Sequence, residues 1–373
     1  MFWFVICQNE ITNNAHCTVC PYHTLNIFKS TWPFVEKFAS FCDTVVYQHR
    51  TKQRTTRVVL FTKVIIFQMD FLDSLKDENG VVKICAPMVR YSKLPFRLLV
   101  REYGCDLAFS PMIMAESFAV SQKARENEFS TSTRDNPLIV QFASNTVDQF
   151  VEASKIVSNY CNGVDLNCGC PQGWALREGI GASLIDKPEF ISDLVRQTRN
   201  QCRDDLLVSI KIRIHSDYQK TIELCRQVES AGVHFISVHG RTKYQRAEPV
   251  NWEAVTAIKQ SVQIPVIANG DIKSLDDVIR VKQETNVDGV MAARGLLENP
   301  AFYAGFSETP KECIESWLKF SLETGTQFSC FHHHLSYMLE RTLSRADRKF
   351  FNGLNSTSAV LHYLDKNFDI KYK

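Results

Sequence analysis

The sequence predicts an α/β fold: a (β/α)8 TIM barrel with a small C-terminal all-helical domain and an atypical N-terminal extension. Three observations carry that expectation. Short apolar runs alternate with helical patterns from residue 81 to about residue 300, and such alternation implies parallel strands joined by right-handed crossovers. Eight strands in roughly 220 residues is the count and size of this barrel, with a doubly wound open sheet as the alternative. The first of the 15 glycines is Gly80, although a stretch that long ordinarily holds about five. The turn chemistry of a barrel therefore starts only there.

Residues 1–79 form the extension, which is expected to be poorly ordered. Its first 68 residues hold seven Lys+Arg against three Asp+Glu, with Arg50, Lys52, Arg54 and Arg57 clustered. They are expected to lie outside the catalytic fold, with Met69 as an alternative start. Cys17 and Cys20 make a lone C-x-x-C beside His16 and His23. A zinc site needs a second pair at a set spacing, so no metal is expected.

The barrel spans residues 80–304. Its strands are read at Val82–Ala86, Leu107–Ser110, Leu138–Ala143, Gly163–Asn167, Leu207–Ile212, Phe235–His239, Ile264–Ala268 and Gly289–Ala293. Ser92 can cap a helix that stops at Gly104, and Thr146 one that reaches Ser158. Pro188 opens another, Asp217 to Ala231 ends at Gly232, and Ser274 caps the last. Residues 305–373 have no strand pattern. Cys313–Thr324, Phe331–Ser344 and Ala346–Leu364 read as helices.

Composition excludes several classes. At 45% hydrophobic and 23% charged residues, the chain is of globular type. A net charge of +2 makes no bulk electrostatic case for nucleic acid. Thirteen scattered cysteines fit a reducing compartment, not a disulfide framework. The longest apolar run, Val58–Phe67, is interrupted by Thr62 and Lys63, so no membrane association is expected. The cytoplasm is the default location, with mitochondrion and nucleus as alternatives, and a monomer is expected.

In such a barrel the active-site groups sit at the carboxyl ends of the strands. The polar interruptions fall there: Pro87-Met88 after the first strand, Gln141 in the third, and Asn167-Cys168-Gly169-Cys170-Pro171 after the fourth. Lys211 lies between Ile210 and Ile212, His239-Gly240-Arg241 ends the sixth strand, Asn269-Gly270-Asp271 the seventh, and Ala293-Arg294-Gly295 the eighth. Lys211 is the sharpest, because a buried ammonium needs an anionic partner. It reads as a structural ion pair or an outer-layer lysine reaching solvent past its own stem, or else as a Schiff-base nucleophile or a donor to an anionic cofactor. Gly270, Gly295 and Arg294 stand where this fold often binds phosphate.

These residues resemble the tRNA-dihydrouridine synthases. The similarity rests on Ala86-Pro87-Met88 with Leu94-Pro95-Phe96-Arg97, on Asp165-Leu166-Asn167-Cys168-Gly169-Cys170-Pro171-Gln172, and on Gly179-Ile180-Gly181-Ala182. Ser209-Ile210-Lys211-Ile212-Arg213, Val238-His239-Gly240-Arg241-Thr242, Pro265–Asp271 and Asp288–Gly295 follow in the same order. Residues 84–93 and Cys330–His334 look most like the eukaryotic branch that acts at positions 20a and 20b of the D-loop.

The resemblance implies an enzyme that uses FMN and NADPH or NADH to reduce the C5=C6 bond of a tRNA uridine. It places FMN on Pro87, Met88, Val89, Gln141, Lys211, His239, Asn269, Gly270, Asp271, Ala293 and Arg294. Cys170 falls on the family's Asn-x-Gly-Cys-Pro pattern and is the expected general acid; an ordinary thiol is mostly protonated at neutral pH. Cys168 is read as a small buried residue. Asn167, Arg177 and Arg241 are expected to meet the substrate. Arg341, Arg345, Arg348 and Lys349, read as one helical face, are the expected phosphate stripe. Two departures stand out: residues 1–79 match nothing in the family, and Arg177 occupies a position where many members have lysine. The rival readings are an FMN barrel acting on a free pyrimidine, a class I aldolase using Lys211, and a non-catalytic RNA-binding protein.

Overall fold

The computed structural model describes residues 71–372. The expectations for residues 1–68, including the Cys17–Cys20 pair and the basic cluster, lie outside the described residues. Nine strands are present among them: β1 Val82–Cys85, β2 Leu107–Phe109, β3 Ile113–Met114, β4 Leu138–Ala143, β5 Gly163–Cys168, β6 Leu207–Arg213, β7 Phe235–His239, β8 Val266–Asn269 and β9 Gly289–Ala292. All pair in parallel. β1 pairs with β2 and β9, and β2 also pairs with β4, so eight strands close into a barrel.

The ninth strand was not expected, and its origin is local. β2 pairs Phe109 with Ile139, while β3 pairs Ile113 with Phe142. One extra residue has therefore entered the β2–β3 side, which makes a bulge. Pro111 lies in this interval and has no N–H to give to a ladder.

The barrel interior is graded along its axis. Val82, Ile84, Leu107, Phe109, Ile139, Leu207, Phe235, Ile267 and Met291 form one buried apolar cluster. Leu72, 2% exposed, joins it with Phe71 and Leu75 packed alongside. The expected boundary at residue 79 is thereby corrected, because residues 71–75 already pack onto the barrel's apolar floor. Further along the same strands the inward positions turn polar: Gln141, Asp165, Asn167, Ser209, Lys211, Ser237 and His239. The other face of each strand packs on the helices, and Cys168 lies in that outer layer with no exposure. It is the small buried residue the sequence suggested.

Most helix signals act where expected. Asp217 accepts from the Gln219 amide and Ser274 from the Asp277 amide, and Gly232 ends its helix at φ 95°. Ser92 is different. Its hydroxyl accepts from the Met88 amide, and Lys93 takes the cap position of Leu94–Glu102.

The C-terminal region is helical, as Lys311–Glu323, Phe328–Met338, Arg345–Asn352 and Thr357–Phe368. The helix expected at Ala346–Leu364 is two. Gly353 ends the first, and the Ser356 hydroxyl caps the second at the Ala359 amide. Trp317, fully buried, rests against Phe96 and His334 and donates its indole N–H to the Phe331 carbonyl.

Candidate active site

Strand register sets the polar rim in rows. Gln141 lies beside Asp165 and Asp165 beside Ser209. In the next row Asn167 lies beside Lys211 and Lys211 beside Ser237. Above that, Arg213 lies beside His239 and His239 beside Asn269.

The first row and Asn167 are joined by short hydrogen bonds. Ser209 Oγ donates to Asp165 Oδ1 at 2.7 Å, and Gln141 Nε2 donates to Asp165 Oδ2 at 2.8 Å. Asn167 Nδ2 donates to Gln141 Oε1 at 2.8 Å. Asn167 Oδ1 then accepts from the Gly169 and Cys170 amides at 3.1 and 2.9 Å. Burial pushes the Asp165 carboxyl up to about 6, opposed by the Ser209 and Gln141 hydrogen bonds and the Lys211 charge.

Cys170 stands on a loop fixed from three sides. Asn167 holds its amide, and its carbonyl accepts from the Ala182 amide at 3.0 Å. Arg213 Nε donates to the Gly169 carbonyl at 3.1 Å. Gly181 (φ 64°) makes the close approach possible, because a Cβ there would lie 2.7 Å from the Cys170 oxygen. Cys170 itself is partly exposed, with its side chain packed beside Ala143, Ala175 and Ile180.

Beside it, Lys211 has no hydrogen-bond or ion-pair partner among the described residues. Burial and the nearby Arg213 charge push its amine down to about 8, against the pull of Asp165 and Cys170. Ser237 Oγ, in the adjacent register position, is buried and has no partner among the described residues. A partnerless ammonium next to a partnerless hydroxyl fits a ligand rich in acceptors. His239 is held neutral: burial and the charges of Lys211, Arg213, Arg241 and Arg294 push it down to about 2. Four basic side chains thus surround one neutral imidazole.

A cavity of about 50 Å³ opens there, lined by His239, Asn269, Gly270, Ala293, Arg294 and Gly295 among others. Asp271 pairs with Arg241 and, at 3.3 Å, with Arg294. It therefore orients the two guanidiniums. Gly270 (φ 134°) leaves room that a Cβ would fill against Val250, at 2.7 Å.

The expected site residues are brought together in part. Pro87, Met88, Gln141, Asn167, Cys170, Lys211, His239, Asn269, Gly270, Asp271, Ala293 and Arg294 all lie at the strands' carboxyl ends or in the loops after them. Val89 is 51% exposed at the mouth. Gln141 is fully buried with both ends engaged, by Asp165 and Asn167. Asn167 is left with one Nδ2 hydrogen for a substrate edge. Arg177 is exposed on the short helix Gly173–Arg177.

Two expectations are corrected. Arg241 is 1% exposed and paired with Asp271, so it lines the cavity within the rim and not the outer surface. The stripe Arg341, Arg345, Arg348 and Lys349 is not one helical face. Arg341 sits in the turn after Met338 and pairs with Glu298, while the other three lie on Arg345–Asn352. All four are wholly or partly exposed.

Asp165, Ser209 and Ser237 were missed as individual members of the site. Their signal was available: each is polar and stands two residues from another inward polar residue on its strand.

The family profile described as dihydrouridine synthase matches residues 84–369. The chain is 55% identical over 289 residues to the mouse protein named tRNA-dihydrouridine(20a/20b) synthase [NAD(P)+]-like, covering 77% of this chain and 89% of that one. The human protein of the same name is 53% identical, over 78% of this chain and 92% of its own. The Schizosaccharomyces pombe tRNA-dihydrouridine(20a/20b) synthase [NAD(P)+] is 42% identical, over 78% and 89%.

Proposed function

The chain belongs to the dihydrouridine synthase family, and from that membership we propose that it reduces uridines of tRNA, at positions 20a and 20b, to 5,6-dihydrouridine. The reading rests on FMN as bound cofactor and NAD(P)H as reductant. The observation that carries it is the Cys170 loop, fixed beside a Lys211 that has no bonded partner among the described residues, on a rim of basic side chains.

The residues fit FMN. Lys211 and Ser237 offer an ammonium and a hydroxyl that no other described residue satisfies, suited to the acceptor edge of an isoalloxazine. Arg294, Gly270, Asn269 and Arg241 line the cavity suited to its phosphate, with Asp271 in the same lining paired to Arg241. Pro87, Met88, Val89 and Ala293 supply the apolar edge. Gln141 lies beneath this edge, fixed by Asp165 and Asn167, and His239 is a neutral imidazole among cations. When bound, the flavin supplies hydride to uracil C6, with its electrons drawn from NAD(P)H.

The protein's own part is the proton and the positioning. Saturating the C5=C6 bond takes one hydride and one proton. Cys170 Sγ–H gives the proton to C5, and the thiolate recovers one from solvent. Arg213 holds the loop in place by donating to the Gly169 carbonyl. The spare Nδ2 hydrogen of Asn167 holds an acceptor on the uracil edge. A D-loop uridine must leave its stack to reach this depth. The groove of about 950 Å³ at the mouth, lined by Val89, Arg90, Tyr91 and His333 among others, gives the strand room.

The test is reduction of a tRNA transcript by the purified protein with NADPH. The proposal expects a yellow protein whose product carries dihydrouridine at 20a and 20b. A colourless protein that releases borohydride-trappable Schiff base at Lys211 would instead establish the aldolase reading.

A further inference from the structure

The chain of bonds from Ser209 to Cys170 has a direction, and one residue sets it. Gln141 and Asn167 are amides, each with a donor end and an acceptor end. Either could be reversed alone without loss of shape. An ionised carboxylate, by contrast, only accepts. With Asp165 ionised, Gln141 must present Nε2 to it, at 2.8 Å. Gln141 Oε1 must then face Asn167, whose Nδ2 meets it at 2.8 Å. Asn167 Oδ1 is left facing the loop, where the Gly169 and Cys170 amides need an acceptor. Ser209 secures the other carboxylate oxygen at 2.7 Å.

We propose that Asp165 is a positioning residue, whose carboxylate fixes the polarity of the Gln141–Asn167 chain and thereby the seat of Cys170. Asp165 itself is fully buried and touches neither the loop nor any open surface. It therefore acts only through the two amides. Lys211 supports its charge across the register rows without bonding to it. An Asn at this position keeps the shape and can present either a donor or an acceptor to Gln141. The amide chain then loses its fixed direction, and the loop amides lose their guaranteed acceptor. The inference rests on the reading of Cys170 as proton donor for its catalytic meaning, but not for its structural content.

The test is alkylation of the folded full-length protein by iodoacetamide, with each cysteine followed by mass spectrometry. Asp165→Asn is expected to raise the Cys170 rate roughly tenfold, the factor a charge-assisted hydrogen bond is worth. Cys202 is the control. It is partly exposed after the helix Pro188–Gln201, where the chain enters β6 at the barrel's amino end. Its rate is expected to stay unchanged. An unchanged Cys170 rate overturns the proposal, and so does an equal rise at both cysteines, which would mark general loosening. The uridine reduction rate should fall by a similar factor while KM for tRNA holds. Should Asp165→Asn not accumulate as folded protein, Gln141→Leu breaks the link between the carboxylate and Asn167. It is expected to raise the Cys170 rate alone, and no rise overturns the proposal. If Cys170→Ala reduces uridine as fast as the unaltered protein, the proton-donor reading fails, while the alkylation result still decides the role of Asp165.

Discussion

Replacing Lys211 with methionine should make the flavin-free protein more stable and the flavin bind less well. Lys211 is held in the barrel with no bonded anionic partner among the described residues, and its amine is pushed down from the ordinary 10.5 to about 8. A depression of that size corresponds to about 3 kcal/mol of unfavourable energy for the charged form at neutral pH. Methionine has a similar length and no charge to bury. The sign of the pH dependence follows from the depressed value. The stability Lys211 contributes is present in full above pH 10.5 and is lost as pH falls through 8. The advantage of Lys211→Met should therefore be largest near pH 7 and shrink towards pH 10. Other titrating groups are common to both proteins and drop out of the difference. Urea unfolding of the two flavin-free proteins at both pH values reads this directly. Flavin affinity should fall roughly ten- to a hundredfold, the value of a hydrogen bond to a charged group. A methionine variant less stable than its parent at pH 7, or a difference that does not change with pH, would refute the argument.

Three further outcomes are expected. Gly181→Ala places a Cβ 2.7 Å from the Cys170 oxygen at φ 64°; uridine reduction should drop by about tenfold or more, at a cost of ~1–3 kcal/mol in unfolding free energy. Leu72→Ala opens a cavity in the barrel floor and should cost about 2–5 kcal/mol by urea unfolding, with flavin affinity kept. Charge reversal at Arg345 and Arg348 should weaken tRNA binding and flatten its salt dependence in a filter-binding series; unchanged affinity and slope would remove that helix from the interface.

The barrel was legible because its strands are short apolar runs bounded by strong turn and cap residues, and both signals are local. Its floor was not. Leu72 lies among residues with no glycine and no strand period, and only the closed sheet shows what covers it. The polar rim was legible wherever a polar residue interrupts a strand, as at Gln141 and Lys211. Asp165 and Ser209 carry the same signal, but their importance comes from each other across the β5–β6 register. The stripe failed because spacing of three to four residues identifies a helical face only if the helix is continuous. Glu340 and Arg341 instead form a turn between two helices. Arg241 was misread because its partner, Asp271, is 30 residues away, beyond any local pattern.

The central claim is that this chain makes dihydrouridine through Cys170. Its most direct test maps dihydrouridine in tRNA from cells lacking the protein, complemented by either the unaltered chain or Cys170→Ala. The account predicts loss of the base at positions 20a and 20b in the deleted cells, recovery with the unaltered chain, and no recovery with Cys170→Ala. Dihydrouridine that persists at both positions when the protein is absent would contradict it.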